Sequence, residues 1–174
     1  MLKEVFTRNF DKSQFELLYC NESNNTWDCV DKYIVDFIKL LNENENIITL
    51  FSCEGHDQDD SPYLYFKVNE IGWDIFWQKV LPRISYEFSS PFDIVDYVPD
   101  ESGKIPKYML KWYMTSTDNE YNTGITIYCD LNNIDYRGKI VITWEQKKER
   151  FWNTIKEAFL NNFPAKLSIS CSIR

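Results

Sequence analysis

The stretch Thr49-Leu50-Phe51-Ser52-Cys53-Glu54-Gly55-His56 carries an apolar run into a turn of small residues. Ile47 to Phe51 is short, apolar and rich in β-branched residues, the pattern of a central strand. The turn behind it holds the only histidine of the chain and one of its five glycines. Asp57-Gln58-Asp59-Asp60-Ser61-Pro62 reads as a loop, and Tyr63 to Val68 as the returning strand.

Upstream, Trp27, Val30, Ile34, Phe37, Ile38 and Leu41 recur at helical spacing. Asp28, Asp31, Lys32, Asp36 and Lys39 take the opposite side. This predicts an amphipathic helix of about 17 residues, with Asn25 as a candidate N-cap and Asn42-Glu43-Asn44-Glu45-Asn46 as its end. Residues 1–12 show no clear period, and Phe15 to Cys20 reads as a short strand.

Downstream, Trp73, Phe76, Trp77, Val80 and Leu81 share one face of a second helix, expected to stop near Pro82 because proline breaks the hydrogen-bond ladder. Ile84, Tyr86 and Phe88 alternate like a half-buried strand. Ser89 to Pro106 reads as a long surface connection with a short strand at Asp93–Val98. Lys107–Thr115, Ile125–Asp130 and Lys139–Thr143 read as a meander. Thr143-Trp144-Glu145-Gln146 matches a capping box, and the helix it starts turns Phe151, Ile155, Phe159 and Phe163 inward. Lys166 to Arg174 alternates as a last strand. Together these predict one α+β domain over residues 1–174: a mostly antiparallel sheet of about six to seven strands with three amphipathic helices packed on it.

The 174 residues suit one domain with its own core. Aromatics reach 17%, so large rings should build that core. The wealth of Asn, Ile, Lys and Tyr points to an AT-rich genome, as in a phage or a low-GC bacterium. A net charge of −8 without a long basic block disfavours phosphate-backbone binding and suits a basic protein partner instead. No apolar run is long enough to cross a membrane, and the first residues lack the apolar core of a signal peptide. Five cysteines without paired spacing fit reduced thiols, hence a cytoplasmic address.

Chemistry concentrates in the turn. Ser-Cys-x-Gly-His leaves backbone N–H groups and short side chains at a sheet edge, where a concave set of amides can cradle a small anion. Cys53 is the candidate nucleophile or proton donor and His56 the candidate base, with Ser52 and Gly55 lining the ligand. A tight turn in which Gly55 supplies a positive φ and His56 caps the loop is the plainer alternative. Cys53 and His56 also form a C-x-x-H pair, but no C-x-x-C and no second histidine follow. Cys20 or Cys29 would have to complete a zinc set, so no metal is expected. The Asp57–Asp60 cluster lacks the spacing of a calcium loop. Among the tryptophans, Trp112 and Trp144 stand near strand ends and are candidates for contact.

A helix with Val30, Ile34 and Leu41, then Asn42, then Thr49-x-x-Ser52-Cys53-x-Gly55-His56 and an aromatic strand resembles a set of small uncharacterised bacterial and phage proteins. That resemblance brings no activity with it. More distantly, residues 28–68 are similar to the start of the wybutosine-synthesis methyltransferases, whose strand ends in S-C-S-G-R. The likeness implies S-adenosylmethionine and a modified-guanosine tRNA substrate. Here Glu54 stands for a serine and His56 for the arginine, and the acidic charge does not suit tRNA.

Two functions follow as expectations. One is a small binding domain or enzyme that holds an anionic ligand at Ser52–His56, with no cofactor named. The other is an acidic interaction or inhibitor protein that meets a basic partner through Asp57–Asp60, Asp93–Glu101 and Asp118–Glu120.

Overall fold

In the computed structural model the described residues are 2–8, 10–13, 27, 30–57, 60–88, 110–114, 124–129 and 143–165. The apolar run before the turn is β1 (Ile47–Cys53), and the chain returns as β2 (Tyr63–Val68). With β3 (Leu110–Met114) and β4 (Ile125–Cys129) they form a sheet of order β1-β2-β4-β3, antiparallel at every described pairing. The helices are α1 (Leu2–Thr7), α2 (Val35–Asn42), α3 (Glu70–Ile75), α4 (Leu81–Phe88) and α5 (Trp144–Leu160). The class is α+β.

The two faces of the sheet differ. Ile47, Leu64, Phe66, Val68, Ile125 and Ile127 point at the helices and join a core drawn from Phe6 to Phe163. Rings build it, as the composition implies. Phe66 meets Phe159 edge-on at 5.3 Å and Phe76 at 5.4 Å, offsets that ring quadrupoles favour. On the other face Ile48, Leu50 and Tyr65 cluster with Phe10. Lys67 is buried as well, and desolvation holds its ammonium below the usual lysine range.

Three expectations are corrected. The helix upstream of β1 is shorter than its periodicity. Val30 and Asp31 lie outside it, and the Asp31 carbonyl accepts from the N–H groups of Ile34 and Val35 before α2 begins. Val30, Ile34, Phe37, Ile38 and Leu41 are buried nonetheless, so the spacing identified the inward face but not the break. Secondly, Ile84 lies in a helix, not a strand. A π-helical turn, Phe76–Val80, joins α3 to α4, and Leu81 N–H reaches back to the Phe76 carbonyl. That wider turn is the adjustment by which a helix runs past Pro82. Thirdly, the first residues are helical, with Phe6 fully buried and stacked on Trp73 at 5.0 Å. The capping box at Thr143 and Gln146 is formed as expected. The strands expected at Phe15–Cys20, Asp93–Val98 and Lys166–Arg174, nearly all of Lys139–Thr143, and the Asn25 cap lie outside the described residues.

Asn42-Glu43-Asn44-Glu45-Asn46 does more than end a helix. Buried Asn42 accepts from Thr49 N–H at 2.9 Å and donates to the Thr49 hydroxyl, which clamps β1 to α2. Asn44 donates to the Pro164 carbonyl beyond α5 at 2.9 Å. Asn46 accepts from the Asn69 amide at 3.0 Å, and Asn69 caps α3 through Gly72 N–H. Three helices and the first strand therefore meet at one polar joint.

Gly72 sits against this joint. A β-carbon there would overlap the Asn46 carbonyl oxygen and come within 2.9 Å of Val68 Cβ. Alanine gains up to about 1 kcal/mol of helix propensity over glycine, which does not offset a clash with main chain. Gly72→Ala is therefore expected to cost about 1–3 kcal/mol, or roughly 2–10 °C in Tm at this size, as read by thermal and urea unfolding.

Candidate functional site

The turn after β1 is shaped by one extra residue. Thr49 pairs with Phe66 and Phe51 with Tyr65, so Leu50 is a bulge. A bulge reverses which face each later residue takes. Phe51, half exposed, stacks on Tyr65 at 6.0 Å. Ser52 then pairs with Leu64, whose face meets the helices, and Cys53 with Tyr63, on the opposite face. The backbone next turns through Gly55, at φ 81° and buried. A β-carbon there would approach Pro62 Cδ at 3.0 Å, so the expected positive φ is present and the space is closed.

Around this turn the fold gathers side chains from three places. The Asp31 carboxylate accepts from Glu54 N–H at 2.8 Å through Oδ2, and its Oδ1 stands 3.4 Å from His56 Nε2. Asp60 Oδ2 lies 3.5 Å from Cys53 Sγ and 4.0 Å from His56 Nε2. Gly55 N–H donates to Cys53 Sγ at 3.4 Å. One ligand-capable atom each from Asp31, Cys53 and His56 lie within 4.8 Å of one another. Burial pushes the Cys53 thiol up to about 11. The Gly55 N–H pulls the other way, and the carboxylates of Asp60 and Asp31 add to the rise.

One stripe of α5 walls the turn. Trp144, Lys148, Trp152 and Lys156 recur at i, i+4 spacing and share a face. Trp152 is fully buried and donates its indole N–H to the Glu54 carbonyl at 2.9 Å. Lys148 donates to the Gly55 carbonyl at 3.2 Å, stands 3.7 Å from the Glu54 carboxylate, and lies 4.9 Å over the Trp144 ring. Glu54 in turn accepts from Tyr33 N–H at 3.1 Å. Lys156 holds the Tyr33 carbonyl at 3.0 Å and lies 4.2 Å over its ring. The buried Trp152 indole and the Lys148 ammonium thus fix the Glu54 and Gly55 carbonyls between Cys53 and His56.

Of the candidate residues, Cys53, Gly55 and His56 come together. Ser52 contributes none of these contacts, because the bulge turns it to the other face. Asp57 is exposed and accepts from Asp60 N–H at 3.1 Å. The side chains of Cys20, Cys29, Cys129, Cys171 and Trp112 lie outside the described residues. Sequence reasoning missed Asp31, read as the outer face of a helix, and Lys148, which it did not single out. The signal for Lys148 was the four-residue spacing with Trp144 and Trp152. For Asp31 no local signal exists, because its partners lie in a distant turn.

No family model, curated protein or solved structure matches this chain.

The raised thiol sets a prediction with a definite sign. The folded chain holds the Cys53 proton more tightly than the unfolded chain, whose thiol titrates near 9.0. The stability this contributes is complete below that pH and is lost as pH rises toward 11. Accordingly, iodoacetamide at pH 8 is expected to alkylate Cys53 at least ~10-fold more slowly in the native, chelator-treated protein than in urea, as followed by peptide mass mapping.

Proposed function

We propose that the protein is a small binding domain whose ligand sits at the turn after β1, on Cys53 and His56, and that this ligand is cationic. The observation that carries the reading is the pair of carboxylates, Asp31 and Asp60, that stand beside the imidazole and the thiol. An anion placed there meets two negative charges. The ammonium that meets the turn, Lys148, is engaged by Gly55, Glu54 and Glu145. The same two carboxylates disfavour a Cys53 thiolate, so a nucleophile–base pair is the lesser reading. Neither a reaction nor a cofactor is assigned.

A half-exposed His56 and Asp60 leave the ligand side open to solvent. A free Cys53 is in keeping with a reducing, cytoplasmic setting. No helix among the described residues is long and apolar enough to cross a membrane. The competing reading, an acidic surface that docks a basic partner, keeps the support of the net charge of −8. Two of its three contact loops lie outside the described residues.

Native mass spectrometry of the purified chain, before and after denaturation, tests the proposal. A bound mass that is released on unfolding and absent from Asp31→Asn and His56→Ala is the expected result. A ligand retained by both variants places binding elsewhere and rejects the turn.

A further inference from the structure

We propose that the turn is a zinc(II) site in which Asp31 Oδ1, Cys53 Sγ and His56 Nε2 are the protein ligands and solvent takes the fourth position. This rests on the cation-binding reading above and names its ligand class.

Geometry comes first. Zinc bonds of about 2.3 Å to sulfur and 2.0–2.2 Å to nitrogen and oxygen, at tetrahedral angles, place neighbouring ligand atoms about 3.3–3.6 Å apart. The Asp31–His56 separation of 3.4 Å matches one edge of that figure, and the ligand atoms of Asp31, Cys53 and His56 all lie within 4.8 Å of one another. Asp60 Oδ2, 3.5 Å from Cys53 Sγ and 4.0 Å from His56 Nε2, stands beside the set and adds negative charge to it. The donor set decides between metals. A thiol and an imidazole are soft or borderline donors that suit zinc and its transition-metal neighbours, whereas magnesium and calcium take oxygen cages.

The surroundings are those of a built site. Glu54 N–H orients Asp31 through Oδ2, which leaves Oδ1 turned to His56. Gly55 N–H donates to the sulfur and favours charge on it. On binding, the thiol releases its proton to solvent while zinc takes the sulfur lone pair. The residue absent from the C-x-x-H pair is thus supplied by the break ahead of α2 rather than by a second cysteine.

The test is a cobalt(II) titration of the full chain, purified under reducing conditions and stripped with chelator, followed by zinc competition. One equivalent of cobalt should give a thiolate-to-metal charge-transfer band with the intense visible bands of four-coordinate cobalt, and zinc should abolish both. Cys53→Ser should lose the charge-transfer band. Asp31→Asn and His56→Ala should weaken binding at least ~10-fold, with circular dichroism reporting that each variant is folded. Zinc should raise the Tm of the parent chain and not that of Asp31→Asn. A charge-transfer band that survives in Cys53→Ser, or affinity unchanged in Asp31→Asn, would assign the metal to other cysteines and overturn the proposal. Absence of cobalt binding overturns it too. The cation reading then still stands if native mass spectrometry finds a non-metal ligand lost in Asp31→Asn, and falls if it finds none.

Discussion

The hydrogen bond from the Trp152 indole to the Glu54 carbonyl joins the two halves of this molecule. Trp152 has one polar atom and a ring that is otherwise wholly buried, packed edge-on against Phe37 and Phe151. A buried N–H left without a partner costs about 1–3 kcal/mol, so its need for an acceptor ties the ring core to the turn. The same residue, Glu54, offers its N–H to Asp31 and its side chain to Lys148 and Tyr33. Core packing and site geometry are therefore a single constraint, expressed through one residue's main chain.

Much of the fold was legible because its signals are local. Burial of Val30, Ile34, Phe37, Ile38 and Leu41 follows from their spacing, the capping box from four consecutive residues, β1 from a short apolar β-branched run, and β2 from its place after the Asp57–Pro62 loop. The failures share a cause. Asp31 leaves the helical path to meet an N–H across the fold, and no window of neighbouring residues contains that partner. The helix past Pro82 depends on a π turn whose advantage is the burial of Phe76 and Val80 against the core. Tertiary packing overrode the proline. Phe6 became part of a helix for a similar reason, since Trp73 gives it a surface.

The candidate site was half legible. Cys53, Gly55 and His56 announce themselves as a small-residue turn with the one histidine. Their neighbours do not, and the neighbours set the charge of the place. Two carboxylates beside a thiol shift the expectation from anion to cation, a change that a reading of residues 49–56 alone has no means to make. The bulge at Leu50 is a second such case. Strand alternation already puts Ser52 and Cys53 on opposite faces; the inserted residue decides that Ser52 takes the helix side and Cys53 the other.

The clasp formed by α5 also has a kinetic side. The Glu54 and Gly55 carbonyls are held by Trp152 and Lys148, 98 and 93 residues further along the chain. By contrast, α2, β1 and β2 are consecutive and join through short connections. Loop-closure entropy favours forming the near contacts first. The α2–β1–β2 unit, with Asp31 just ahead of α2, can thus bring Asp31, Cys53 and His56 into rough register before the last helix docks, and docking then stiffens a loop already in position. During synthesis the wall of the site emerges well after its floor. Until the last helix docks, that turn is therefore open and still pliable.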